Sequence, residues 1–83
     1  MTEREIILQT ALLEYMVEQA RPRREALLHV GVQTGLGATF TATEIGAALM
    51  GLAKKQRASG LPDGDGELKW SITDAGRHYL ANR

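Results

Sequence analysis

The stretch Leu68-Lys69-Trp70-Ser71-Ile72-Thr73-Asp74-Ala75-Gly76-Arg77-His78-Tyr79-Leu80 changes its periodicity half-way along. Leu68, Trp70 and Ile72 alternate with Lys69 and Ser71, which is the period of a strand with one buried face. From Thr73 the pattern is that of a helix, with a hydroxyl residue to cap it, Asp74 in its positive first turn and Tyr79-Leu80 facing inward. Trp70 anchors such a strand in a core, and Gly76, lacking a Cβ, lets the helix come close to the sheet. Immediately upstream, Asp63-Gly64-Asp65-Gly66 supplies the positive backbone angles of a tight turn, and Pro62 suits an edge position. The region past Gly60 is therefore expected to be a small hairpin followed by a short closing helix.

Upstream of the hairpin the chain reads as helices. Thr2 with Glu5 three positions on is a capping-box pattern, and neither Gly nor Pro intervenes before Pro22, so one helix is expected over Thr2–Arg21. Its apolar residues, among them Ile6, Ile7, Leu8, Leu12, Tyr15, Met16 and Ala20, cover more of the circumference than one buried stripe needs. The excess is met either by a second subunit, through Ile7, Leu8, Leu12, Tyr15 and Met16, or by the rest of the same chain. A second helix is expected over Pro22–Val30, with Pro22 in its first turn, ending where glycines 31, 35 and 37 make Val32–Thr39 a loop. A third, capped by Thr41 or Thr43, is expected over Thr43–Ser59, with a break near Met50-Gly51 as an alternative. No repeat or linker divides the chain, so residues 1–83 read as a single domain.

Composition narrows the function. A chain of 83 residues supports one modest core, and of its 43% hydrophobic residues many are alanine. Ten basic and ten acidic residues cancel, so any pull on nucleic acid is local rather than a property of the whole molecule. With no cysteine there is no disulfide scaffold, thiol nucleophile or cysteine-based zinc site. Apolar runs stop at four residues, too short for a membrane span or a signal-peptide core, so a cytoplasmic protein is the default. His29 and His78 lie apart, each without a second ligand at helical spacing, and no metal is expected. The glycines at 31, 35 and 37 lack the strand-to-helix setting of a nucleotide loop, and Ser59 and Ser71 have no acid and base partners. Neither a cofactor nor a catalytic residue is expected.

Three helices, a glycine-turned hairpin and a closing helix give a mainly α chain with a small β-hairpin, the order of a winged helix-turn-helix domain. The run from Trp70 to Leu80 resembles the W-x-[IL]-T-x-x-G-R-x-x-L ending of PadR- and MarR-like regulators and of the amino-terminal domain of Mrr-type restriction proteins. The specific likeness spans Leu68 to Leu80, and the rest is likeness of element order. One departure concerns the span from Glu44 to Gly60, which is shorter than such regulators usually carry there. It is best met by taking Pro22–Val30 and Thr43–Ser59 as helices two and three. The resemblance implies duplex DNA as partner, although the fold also serves protein interaction.

The candidate DNA surface is Lys54, Lys55, Gln56 and Arg57 near the end of the third helix, with Arg23 and Arg24 as a second basic spot and Lys69 with Ser71 on the wing face away from the core. Cations at a helix C-terminus also complement the macrodipole, which is their alternative role. Asp63, Asp65 and Glu67 at the wing tip oppose phosphate. The expected function is a small prokaryotic or phage transcriptional regulator, not an enzyme, binding duplex DNA as a homodimer through its third helix and wing. The alternative is a protein-interaction or inhibitor module of the same fold.

Overall fold

The computed structural model describes residues 2–19 and 21–83. Among the described residues, four helices and three short strands follow in the order α1 (Glu3–Glu18), β1 (Arg23–Arg24), α2 (Glu25–Leu36), α3 (Ala42–Lys54), β2 (Ala58–Pro62), β3 (Leu68–Ile72) and α4 (Asp74–Ala81). The strands form one antiparallel sheet in the order β1-β3-β2. This is a winged helix-turn-helix fold, as the sequence leads one to expect.

Thr2 caps α1 by accepting the N–H of Glu5. The helix ends at Glu18 rather than at Arg21: Gln19 is already extended, and the residue before Pro22 is held out of the helical region by the proline ring. Ala20 lies outside the described residues. Pro22 does not open the second helix. Arg23 and Arg24 instead pair with Trp70 and Lys69 as β1, taking up the open edge of β3, and α2 begins only at Glu25.

The glycines at 31 and 35 do not end α2, which runs to Leu36 and stops at Gly37 in the left-handed conformation (φ 64°). Gly31 is there for packing: a Cβ on it would overlap the Tyr15 ring of α1. Gly51 plays the same part in α3, where a Cβ would meet the Gln9 amide, and α3 runs unbroken through Met50-Gly51. Close interhelical contact outweighs the loss of helix propensity at these two sites. Leu8, Leu12, Leu13 and Met16 from α1, Leu28 and Val32 from α2, and Ile45, Leu49 and Leu52 from α3 form the core, with Trp70 closing it from the sheet.

A full capping box opens α3. Thr41 Oγ1 accepts the Glu44 N–H at 3.1 Å, and the Glu44 carboxylate accepts the Thr41 N–H at 3.0 Å. The helix ends at Lys54, short of Ser59, because Gln56 turns the chain with a φ of 60° and Ala58 already belongs to β2. At the far end of the wing, Leu68 is 43% exposed instead of buried, since it pairs with Pro62 beyond the reach of the core that covers Trp70.

The junction of β3 with α4 matches the reading of its sequence. Thr73 Oγ1 accepts the Gly76 N–H at 3.0 Å and donates to the Gln56 carbonyl at 2.6 Å. The Thr73 N–H donates to the Arg57 carbonyl at 3.1 Å. Gly76 is buried, and a Cβ there would overlap that same Arg57 carbonyl and stand 2.7 Å from Ile72 Cγ1. Gly76→Ala is therefore expected to lower stability by about 2 kcal/mol through overpacking against backbone. Gly64→Ala, with nothing within 4 Å of its new Cβ, serves as control and stays within about 0.5 kcal/mol. Urea midpoints of the two variants check this.

Arg4 ties the start of α1 to the start of α3. It donates to Glu44 at 2.6 and 3.3 Å and to the Thr39 carbonyl at 3.0 Å, with its guanidinium 4.4 Å from the centre of the Phe40 ring. The Arg4 hydrogen bond, helped by the Thr41 N–H, holds the Glu44 carboxyl at about 2 against an ordinary 4.5. A carboxyl that resists protonation more when folded than when unfolded contributes fully above its unfolded value, and the contribution is lost as pH falls from 4.5 to about 2. The stability difference between the wild type and Glu44→Gln is thus expected to shrink across that window, as read from urea midpoints at about pH 6 and about pH 2.

Candidate functional site

The candidate surface is built around the turn between α2 and α3. His29 and Gln33, one turn apart on α2, hold it: His29 Nε2 lies 2.7 Å from the Phe40 carbonyl and 3.0 Å from Gln33 Oε1, which accepts the Phe40 N–H at 2.7 Å. With both neighbours acceptors, the Nε2 atom carries the proton. Phe40 is 4% exposed beneath Arg4, so the turn is pinned on both sides and α3 leaves it in one direction. His29 thus serves the turn through hydrogen bonds. Among the described residues no group of three or more His, Cys, Asp or Glu side chains is placed to hold a metal.

On α3, Ile45, Ala48, Leu49 and Leu52 face the core, which turns Thr43, Ala47, Met50 and Lys54 outward. These four recur at spacings of four, three and four, one straight line along the helix. Met50 is 63% exposed. Charge alone does not draw attention to Thr43, Ala47 and Met50. The signal for them in the sequence is the complement of the apolar spacing, the positions that Ile45, Leu49 and Leu52 leave over. Glu25, at the start of α2, flanks the line, its carboxylate oxygens 3.9 and 4.0 Å from where a Cβ on Gly46 would stand.

The basic residues expected to converge are spread along the wing. Lys54, Lys55, Gln56 and Arg57 lie at its base, where α3 passes into β2, and Arg57 stacks over the Tyr79 ring of α4 at 3.8 Å from the centroid. Arg24 and Lys69 lie toward the tip, level with Leu61 and roughly 10 Å of strand from Ala58, and Arg23 lies at mid-strand beside Trp70. Arg23 donates to the Gln19 side chain at 3.0 Å. Ser71, half-buried opposite Ser59, sits nearer the base.

Arg24 is engaged by the wing tip itself. Its guanidinium lies 2.9 Å from Asp63, 3.1 Å from Asp65 and 3.4 Å from Glu67, all three acidic residues of the turn. Asp63 organises that turn, its Oδ1 accepting the N–H groups of Asp65 at 2.8 Å and Glu67 at 3.2 Å, while Gly66 takes a φ of 83°. Those backbone donors and Arg24 hold the Asp63 carboxyl below the ordinary carboxylate value, with the Asp65 N–H the largest cause. Asp63, in turn, raises Arg24 through its hydrogen bond. The acidic tip is therefore a structured cap on one arginine.

Leu8, Leu12 and Met16, expected at a subunit interface, are 0–3% exposed within the chain's own core, and Tyr15 is half-buried against Gly31. The apolar width of α1 is taken up mainly by α2 and α3. Ile7, at 48%, remains exposed with Ile6 and Val17. Among the described residues no helix is long and apolar enough to cross a membrane.

The chain matches no family model and no curated protein. Its fold is shared with solved structures. RosR of H. salinarum superposes with a TM-score of 0.81 at 13% identity, over 99% of this chain and 69% of that one. A candidate transcriptional regulator of Thermoplasma acidophilum gives 0.75 at 19% identity, over 95% and 78%. A candidate DNA-binding protein of Ralstonia eutropha gives 0.73 at 17% identity, over 98% and 95%. At such identities the likeness is one of fold.

Proposed function

We propose that this chain is a DNA-binding transcriptional regulator that lays α3 in the major groove of duplex DNA and performs no covalent chemistry. The observation that carries the reading is α3 itself. It is the second helix of a pinned helix-turn-helix, exposed along one straight line from Thr43 to Lys54, in the position from which such helices enter the groove. The regulatory and DNA-binding descriptions of two proteins sharing the fold support it. Lys54 and Lys55 meet phosphate at the end of that line, and Lys69, exposed on the outer face of β3, is the wing's contribution. Arg24 contributes less than its charge suggests, because three carboxylates already surround it.

The reading includes a homodimer, so that two copies of α3 meet a two-fold site. Its contact is moved from the buried Leu8, Leu12 and Met16 to the exposed Ile6, Ile7 and Val17 on the same helix. A protein-interaction module is the second reading, favoured by one observation: Asp63, Asp65, Glu67 and Glu25 make the wing tip and the adjoining start of α2 an acidic surface.

Anisotropy with random-sequence duplex across a salt series separates the two readings. Steeply salt-dependent binding is expected, and Lys54→Ala is expected to weaken it on every sequence while lowering the log-log slope by about 1. An unchanged slope removes Lys54 from the phosphate surface. No binding at low salt removes the DNA reading in favour of a protein partner. Light scattering at micromolar concentration is expected to give the dimer mass, and Ile7→Glu the monomer mass. A monomer mass for the wild type excludes the dimer.

A further inference from the structure

Which bases α3 would meet is decided by the side chains on its outward line. Before Lys54, that line offers Thr43, Ala47 and Met50. None of these carries the paired donors or the amide that read guanine or adenine by bidentate hydrogen bonds. They offer methyl groups: Cγ2 of threonine, Cβ of alanine and Cε of methionine. In the major groove the apolar group on a base edge is the C5-methyl of thymine.

The ends of the line suit a groove bounded by phosphates. At the start of α3 the capping box takes up the Thr41 and Glu44 N–H groups, and Arg4 pairs there with the Glu44 carboxylate, offsetting its charge. Lys54 stands at the other end, eleven residues or about 16 Å away, comparable to the roughly 12 Å width of the groove. Between them lie two small side chains and one methionine, far less apolar area than the several hundred Å² of a protein-docking patch.

We propose, on the basis of the DNA-binding reading, that α3 selects thymine-rich major-groove edges by methyl-to-methyl contact through Thr43, Ala47 and Met50. The test is anisotropy of the full chain at one low salt concentration with three labelled duplexes: an A·T duplex, the same sequence with deoxyuridine for every thymidine, and a G·C duplex. Uracil pairs as thymine does and lacks only the methyl. The thymine duplex is expected to bind about fourfold more tightly than its uracil twin for each methyl buried, hence tenfold or more for two. Thr43→Ser keeps the hydroxyl and loses the methyl, and is expected to reduce the thymine-over-uracil ratio by about fourfold, with the thermal midpoint confirming that it folds. Equal binding to the thymine and uracil duplexes, or preference for the G·C duplex, overturns the proposal while leaving the DNA reading intact. Failure to bind any of the three overturns both.

Discussion

Leu8, Leu12, Leu13 and Met16 take one side of α1 out of water, and α2 and α3 can share that side only by approaching it closely. The approach is made possible by two absent side chains: the Tyr15 ring fills the place of a Cβ at Gly31, and the Gln9 amide fills the one at Gly51. These contacts decide how the outer face of the molecule looks. Once Ile45, Leu49 and Leu52 are committed to α1, the 3.6-residue period leaves Thr43, Ala47, Met50 and Lys54 to solvent. The direction of that line is held from the other side by His29 and Gln33 on the Phe40 backbone and by Arg4 across to Glu44.

The second organising constraint is the disposal of charge in a neutral chain. Arg4 pairs with Glu44, Arg83 with Glu14, and Arg24 with three carboxylates of the wing tip. Exposed pairs of this kind contribute little to stability. Their effect is on what the surface offers. An arginine ringed by Asp63, Asp65 and Glu67 is no longer a free phosphate ligand, and a wing tip so capped is less repulsive to DNA than its three carboxylates alone would be. The cationic character of the candidate surface accordingly rests more on the base of the wing and the end of α3 than on its tip.

Much of the fold was legible in the chain. The capping hydroxyls of Thr2, Thr41 and Thr73, the turn glycine at 66, and the tryptophan and glycine at 70 and 76 act within a few residues or at one crowded junction, so their types and spacing announce them. The glycines of α2 misled for a reason that can be stated. Local propensity penalises glycine in a helix, whereas interhelical packing rewards it, and only the position of Tyr15 shows which effect wins at Gly31. The pairing of Arg23 and Arg24 with β3 was likewise hidden, because two residues carry no period and their partners lie more than forty residues away.

The candidate site was less legible than the fold. Basic residues can be counted in a sequence, and the count proposed one surface from Lys54, Lys55, Arg57, Arg23, Arg24 and Lys69. Whether they converge depends on strand length and register, which set Lys54, Lys55 and Arg57 at the base of the wing, Arg23 at mid-strand, and Arg24 and Lys69 one residue further toward the tip. Burial is equally non-local: Leu8, Leu12 and Met16 belong to the core because α2 and α3 cover them. Element type, caps and turns follow from local chemistry, which the chain carries in its residue order. Which charges meet, which apolar faces stay open and where α3 points follow from contacts between residues distant in sequence, and these exist only once the chain has folded.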